Sequence, residues 1–491
     1  MATKLSFTMA EIDEKRIADE KYREERWQNL YSSLNEKYGE KISVEIVNAF
    51  KELYAMYKPT DVFRWCANLF DTEIGGYYYS NSGRDFDEAV YNEKTYKLRP
   101  DIESTCQANG FLNSSLVHTD AVERVPSWVG EKIVYFVKSL QDKKTGYFFH
   151  PQWEKDEVRC NRRGRDLQFA VRLLTFYGAN STYDTPLGTK GDGILADGTP
   201  ADMDGAYVYM PEIKNDKEKI VEQIPEHLVD KESFEKYLDT FFIDPEQSGT
   251  SYKIGNMFES QGIEILARDR VLKARGADYS LAEILRKWLD DRYIAESGCW
   301  AKCSPPDHSA VNGILKICAA YNRIEKPIPD PLGTMKTAIS VIAREDLIPV
   351  HVCSVLNPWY AVSVILENVK MYNKNEGRML SDAIAKVRRE MVESFPKMIR
   401  ATAKNLAKFI KPDGSFSYYV GQTAFCSQGM PVAHGAVDEG DLNATNICNF
   451  GIIGHMFSIL GEKSIPMFGE AERMEFVRTL EENRLKGEKK E

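Results

Sequence analysis

The chain has 491 residues, 43% of them apolar and 28% charged, with a net charge of −10 at neutral pH. That is enough apolar material for a large core, and the acidic balance excludes an electrostatic nucleic-acid binder. No run of 18 apolar residues is present, which excludes a membrane-spanning helix.

The first residues, Met1–Ala10, lack the apolar core of a secretion signal. Glu11–Arg26 is dense in Asp, Glu, Lys and Arg and reads as an exposed helix. The nine cysteines are odd in number and irregularly spaced, and several fall inside apolar stretches. They read as reduced, mostly buried thiols of a cytoplasmic protein.

From about residue 50 a phrase recurs: an amphipathic helix, an Asp-rich turn, a glycine, aromatics, a loop, an acid, then an apolar helix. Gly75-Gly76-Tyr77-Tyr78-Tyr79 leads to Asp101-Ile102-Glu103. Gly146-Tyr147-Phe148-Phe149-His150 leads to Arg165-Asp166. A degenerate copy at Gly249-Thr250-Ser251-Tyr252 leads to Asn256. Gly298-Cys299-Trp300 leads to Asp307-His308, and Gly414-Ser415-Phe416 leads to Glu439-Gly440-Asp441. A further turn at Leu356-Asn357-Pro358-Trp359, with Asn357 as cap and Pro358 at the first helical position, brings the count to six units. A polar insertion near 178–216 lengthens the second unit.

Two kinds of helix alternate. Ile384, Val387, Met391, Phe395, Ile399, Leu406 and Ile410 form one apolar stripe between lysines and arginines, with Pro396 expected to kink or divide it. Ile447–Leu460 is apolar nearly all round and is expected to be buried. Strand-type runs are scarce. The predicted fold is all-α, with a helical N-terminal extension (1–50), a repeat domain (51–465) and a helical C-terminal tail (466–491).

This organisation resembles the (α/α)6 toroid, in which six helical hairpins close into a ring. Glycoside hydrolases, polysaccharide lyases, terpenoid cyclases and protein prenyltransferases use it. The resemblance covers roughly residues 50–465 and implies an inner ring within an outer ring, with a funnel at one end. It speaks for architecture, and function must be read from the site.

If the ring closes, the acids before the inner helices converge on one mouth. An Asp in that position also serves as a helix cap, and that reading explains it without any chemistry. Glycoside hydrolysis needs two carboxylates, and Asp101 or Glu103 facing Glu439 or Asp441 supplies them, with His434 upstream on the same loop. Arg84, Arg162, Arg163 and Arg165 would hold a negative group, and Tyr78, Trp153 and Trp300 would stack on sugar rings. The ordinary alternative for the arginines is an ion-pair network with nearby acids. The function expected is acid/base hydrolysis of a small anionic, uronate-type oligosaccharide or glycoside. A lyase on the same scaffold would draw on His150, Asn161 and one of Tyr77, Tyr78 or Tyr147. A terpenoid-cyclase-like or prenyltransferase-like enzyme and a non-catalytic ligand binder stand behind it. No cofactor or metal is expected. Cys299, Cys303 and His308 match no zinc spacing, and Asp192, Asp197, Asp202 and Asp204 lack the order of a calcium loop.

Overall fold

The computed structural model describes residues 7–115, 125–209, 224–372 and 378–488. Residues 1–6 of the expected extension, 210–216 of the insertion and 489–491 of the tail lie outside these. The fold is mostly helical. In chain order come α1 (Met9–Tyr38), α2 (Glu40–Tyr54), α3 (Pro59–Asn68), α4 (Asn81–Asp85), β1 (Glu88–Tyr91), β2 (Lys94–Lys97), α5 (Ile102–Ser115), α6 (Ser127–Ser139) and α7 (Cys160–Phe176). Then follow α8 (Lys231–Asp239), α9 (Ser248–Ala274), α10 (Leu281–Asp290), α11 (His308–Arg323), α12 (Pro331–Ile342), α13 (Cys353–Tyr372) and α14 (Arg378–Leu406). The chain continues with β3 (Cys426–Ser427), β4 (Met430–Pro431), α15 (Leu442–Asn446), α16 (Ile452–Leu460) and α17 (Glu470–Glu488). The strands pair only as two small antiparallel ribbons, β1 with β2 and β3 with β4.

From α3 onward the longer helices alternate in environment. Helix α5 packs on α7, α7 on α9, α9 on α11, α11 on α13 and α13 on α16, while α15 packs back on α5. The contacts therefore form a closed circuit of inner helices. Around it, α6 packs on α7, α10 on α9, α12 on α13 and α14 on α12. Phe63 of α3 meets Phe111 of α5 with ring centres 4.9 Å apart. The N- and C-terminal helices share one flank: α2 packs on α14, α17 on α3, and α1 on both α2 and α17.

The inner helices are buried for the reason their composition gives: nearly every side chain has an apolar neighbour. In α11, Val311, Ile314, Ile317, Cys318 and Tyr321 are all sealed from solvent. In the apolar stretch Ile447–Leu460, Cys448, Ile452, Ile453, Met456, Phe457, Ile459 and Leu460 are buried as expected, and a π turn at Ile447–Gly451 separates α15 from α16. The stripe of α14 is buried from Ile384 to Leu406, and Pro396 sits inside one undivided helix. Two expected turns are helix instead. Gly249 lies in the first turn of α9, and α13 begins at Cys353, so Pro358 falls inside it. Pro358 is the sixth residue of α13, past the four amides that lack a partner at a helix start, so it costs that helix one i to i−4 bond. The insertion from Gly178 to Tyr209 is irregular; Asp192 pairs with Lys138 at 2.8 Å and Asp202 with Lys143 at 2.7 Å. Among the described residues, no helix is long and apolar enough to cross a membrane.

Candidate active site

The recurring phrase has one local geometry. Gly75, Gly146, Gly298 and Gly414 all adopt positive φ, between 66° and 92°. Only glycine does this freely. Each closes a tight turn with an antiparallel bridge behind it: Phe70 with Tyr77, Gln141 with Phe148, Ile294 with Cys299, and Ile410 with Phe416. The acid that follows caps the next inner helix. Asp101, Asp307 and Asp441 accept from the amides of Ser104 (3.0 Å), Ala310 (2.7 Å) and Ala444 (2.8 Å). In two units a threonine four residues past the cap ties turn to helix. Thr105 accepts from the amide of Tyr77, and Thr445 from that of Phe416, both at 3.0 Å. Asp166 breaks the pattern, since α7 starts six residues before it.

The acids of the first and sixth units meet at the seam of the circuit rather than across open space. Ser80 and Asp441 form a bridge, and Leu442 donates to the carbonyl of Tyr79 at 2.9 Å. Asp441 is fully buried and also accepts from the amide of Tyr418 (2.8 Å), the hydroxyl of Thr423 (3.1 Å) and Tyr79. Burial pushes its carboxyl up to about 6, against these donors, which pull it down. Glu439 accepts from Ser80 Oγ (2.8 Å) and from Ser82 N (2.8 Å) and Oγ (2.5 Å), which fixes the start of α4. His434 bonds the carbonyl of Glu88 at 2.8 Å and stacks on Phe86.

The arginine run forms ion pairs. Arg162, wholly buried, reaches Asp101 (2.8 Å), Glu103 (3.1 Å) and Asp166 (2.8 Å). Burial pushes Asp166 up, but Arg162 and His150 outweigh it and hold that carboxyl below its usual range. Trp153 lies over the Arg162 guanidinium at 4.6 Å and meets His150 edge-on. Arg163 stacks on Tyr147, whose hydroxyl donates to the buried Glu264. Arg165 reaches Glu103 at 3.0 Å and Glu259 at 3.5 Å.

Deeper in the circuit the inner helices present a second polar set. Lys316 of α11 contacts Glu259 of α9 at 3.3 Å, and Arg323 contacts it at 3.8 Å. Asn357 donates to Asn312 at 2.8 Å, and Tyr360 stacks on His455 at 4.3 Å. Arg165, Glu259 and Lys316 keep 15%, 16% and 18% of their side-chain surface exposed. Burial pushes Glu259 up, but Lys316, Arg165 and Arg323 outweigh it and bring it down to about 2. Burial and Arg165 lower the Lys316 amine, with Glu259 opposing. Cys353 lies between these groups and the seam, since Lys316, Arg165 and Asp441 all act on its thiol. Four carboxylates (Asp101, Glu103, Asp166, Glu259) face four cations (Arg162, Arg165, Lys316, Arg323). Arg163 of the same run stands outside these pairs and stacks on Tyr147, beside the buried Glu264.

The β3–β4 hairpin crosses from the sixth unit over the second and third. Asn161 of α7 and Asn256 of α9 both donate to Gln428 Oε1 at 2.9 Å, and Ser427 donates to Glu103 at 2.8 Å.

Three expected binding residues lie elsewhere. Trp300 is buried core, its indole bonded to the carbonyl of Leu289 at 2.8 Å. Arg84 is a surface residue paired with Asp85, and Tyr78 bonds Asp71 beside its own turn at 3.0 Å. Conversely, the sequence reading missed Glu259, Lys316, Tyr252, Tyr360 and Gln428. A signal existed for one of them: Lys316 is the single charge in Val311–Ala320. Comparisons with protein-family models, curated proteins and solved structures find no match to this chain.

Proposed function

We propose that the closed circuit is an (α/α)6 toroid and that its interior binds and hydrolyses a small glycoside or oligosaccharide. The observation that carries this is the polar stripe on the inner helices. Helices that bury their other faces so well have no packing need for Arg165, Asn256, Glu259, Asn312, Lys316 and Tyr360 toward the middle. Charges placed there cost desolvation energy and are retained for chemistry or recognition. Tyr252, Tyr360 and Tyr418 offer aromatic surface for the apolar faces of sugar rings.

The roles follow from opposite environments. Asp441, pushed by burial up to about 6, is the group of the two that carries a proton on the acid side of neutrality, and it is the proposed general acid. Glu259, brought down to about 2, is the carboxylate that stays ionised to stabilise positive charge at the anomeric carbon or attack it. Asp101, Glu103 and Glu439, proposed from sequence for these roles, are taken up by Arg162, Arg165 and the serines of α4.

A second reading has its own support. Arg165 donates to Asn256 at 3.3 Å, and Tyr252 lies one turn before it. An Arg–Asn pair with a nearby tyrosine is what β-elimination from a uronate requires. Incubation with neutral and uronate-containing oligosaccharides separates the two. New reducing ends without a new double bond support hydrolysis, and both signals together mean elimination. Full activity in both Asp441→Asn and Glu259→Gln would sink the hydrolytic assignment.

A further inference from the structure

Helix α14 carries more positive charge than the fold uses. Its apolar stripe packs inward, and Arg400 reaches across to α2, where it pairs with Glu45 at 3.1 Å and Glu52 at 2.9 Å. Arg389, Lys397 and Lys404 stay exposed on the outer flank, as does Lys41 in the first turn of α2. Among the described residues no carboxylate forms an ion pair with any of these four. In a chain of net charge −10, four unpaired cations around one groove have a use other than holding the protein's own acids.

That groove has a volume of about 1040 Å³, lies between α2 and α14, and shares no residue with the ring interior. Its apolar lining includes Ile42, Val392 and Pro396. On α14 the lining runs from Arg389 to Lys404, about 22 Å of helix. Volume divided by length leaves a cross-section of roughly 45–50 Å², about half that of an α-helix with its side chains. An extended acyl chain would leave most of that width empty, whereas a helix would lie half-sunk in it. The charges are spaced for the same occupant. Arg389, Lys397 and Lys404 follow one another at eight and seven residues, about two turns each. A helix laid along α14 with acids one heptad apart meets each of them in turn. Two acids of the lining, Glu345 and Glu393, reduce this positive field but do not cancel it.

We propose that the α2–α14 groove docks an acidic amphipathic helix of a partner protein. The apolar face of that helix covers Ile42, Val392 and Pro396, and its acids pair with Arg389, Lys397 and Lys404. This is recognition of a helix in a groove, with the charges setting partner choice and orientation. The site is on the outer flank and stands whether or not the ring interior hydrolyses a glycoside.

The test is fluorescence anisotropy on the full chain with a labelled three-heptad peptide, Leu at its a and d positions and Glu at e and g. Repulsion between its glutamates discourages the peptide from pairing with itself. A second peptide carries Lys in place of each Glu. The acidic peptide is expected to bind at least about tenfold more tightly than the basic one, the worth of a few exposed charge pairs. In the double variant Lys397→Glu with Lys404→Glu, that preference should vanish or reverse. Lys397→Ala with Lys404→Ala repeats the test if charge reversal disturbs α14, and should weaken the acidic peptide several-fold. Equal binding of the two peptides, no binding of the acidic one, or a preference that survives both variants overturns the proposal. Sedimentation with vesicles of anionic phospholipid that the double variant loses, without binding of the acidic peptide, would assign the groove to a membrane surface and overturn it too.

Discussion

Two charged clusters meet on α7, one around Arg162 and the other beginning at Arg165, and they differ in access. Around Arg162, four groups sit at 0–2% exposure and each charge has a partner. Around Glu259, the same residue types keep 15–18% of their surface open. The first cluster stitches α5 to α7. The second is where a ligand can compete for the charges. Access, rather than residue type, is what differs between these two ion-paired clusters.

The sharpest way to break this contrast is to remove one charge from each. Arg162→Met should cost about 3–5 kcal/mol, because three buried carboxylates lose their cation; urea midpoints would measure it. A loss under about 1 kcal/mol would erase the distinction. Glu259→Gln should lower turnover on a cleaved glycoside by about 100-fold or more. Its unfolding free energy should also fall, by up to about 3 kcal/mol at neutral pH, the order of the stability that its lowered carboxyl contributes.

The pH dependence of stability divides the two candidate catalytic acids in a second way. Asp441 holds its proton more tightly when folded, at about 6 against a usual 3.8. The folded state therefore binds more protons, and this contribution is present below pH 4 and lost as pH rises through 6. Glu259 is the reverse, at about 2 against 4.5: its contribution is present above pH 4.5 and lost as pH falls toward 2. Unfolding curves from pH 3 to 7 should lose the first slope in Asp441→Asn and the second in Glu259→Gln.

Smaller effects test the repeat. Thr105→Val and Thr445→Val remove equivalent hydrogen bonds in the first and sixth units and should each cost about 1 kcal/mol. Unequal losses would mean that the two turns are not equivalent. Arg84→Ala, whose only carboxylate contact is the exposed Asp85, should change stability by less than about 0.5 kcal/mol.

The architecture was readable because its punctuation is chemical. A glycine forced to positive φ and an acid forced to cap a helix leave marks that survive without sequence similarity between units. The mark failed at Gly249 and Pro358, where the same residues lie within the first two turns of a helix. The site was less readable. Asp441 could be singled out as a cap with excess acid around it, but a sequence does not say that Arg162 will consume Asp101 and Glu103. Nor does it say that Trp300 will turn inward. Glu259 and Lys316 become visible only when two distant helices meet, and Gln428 only when a loop of the last unit reaches the second and third.

The seam between Tyr79 and Leu442 has a consequence for how the chain reaches this state. Those residues are more than three hundred and fifty positions apart, and the inner helices have no last neighbour until they join. A polypeptide emerging from the ribosome must carry the surface around Tyr79 open until Leu442 has been made, and a contact of such sequence separation is expected to form late. Weakening the seam should slow assembly and promote aggregation before it measurably loosens the finished ring.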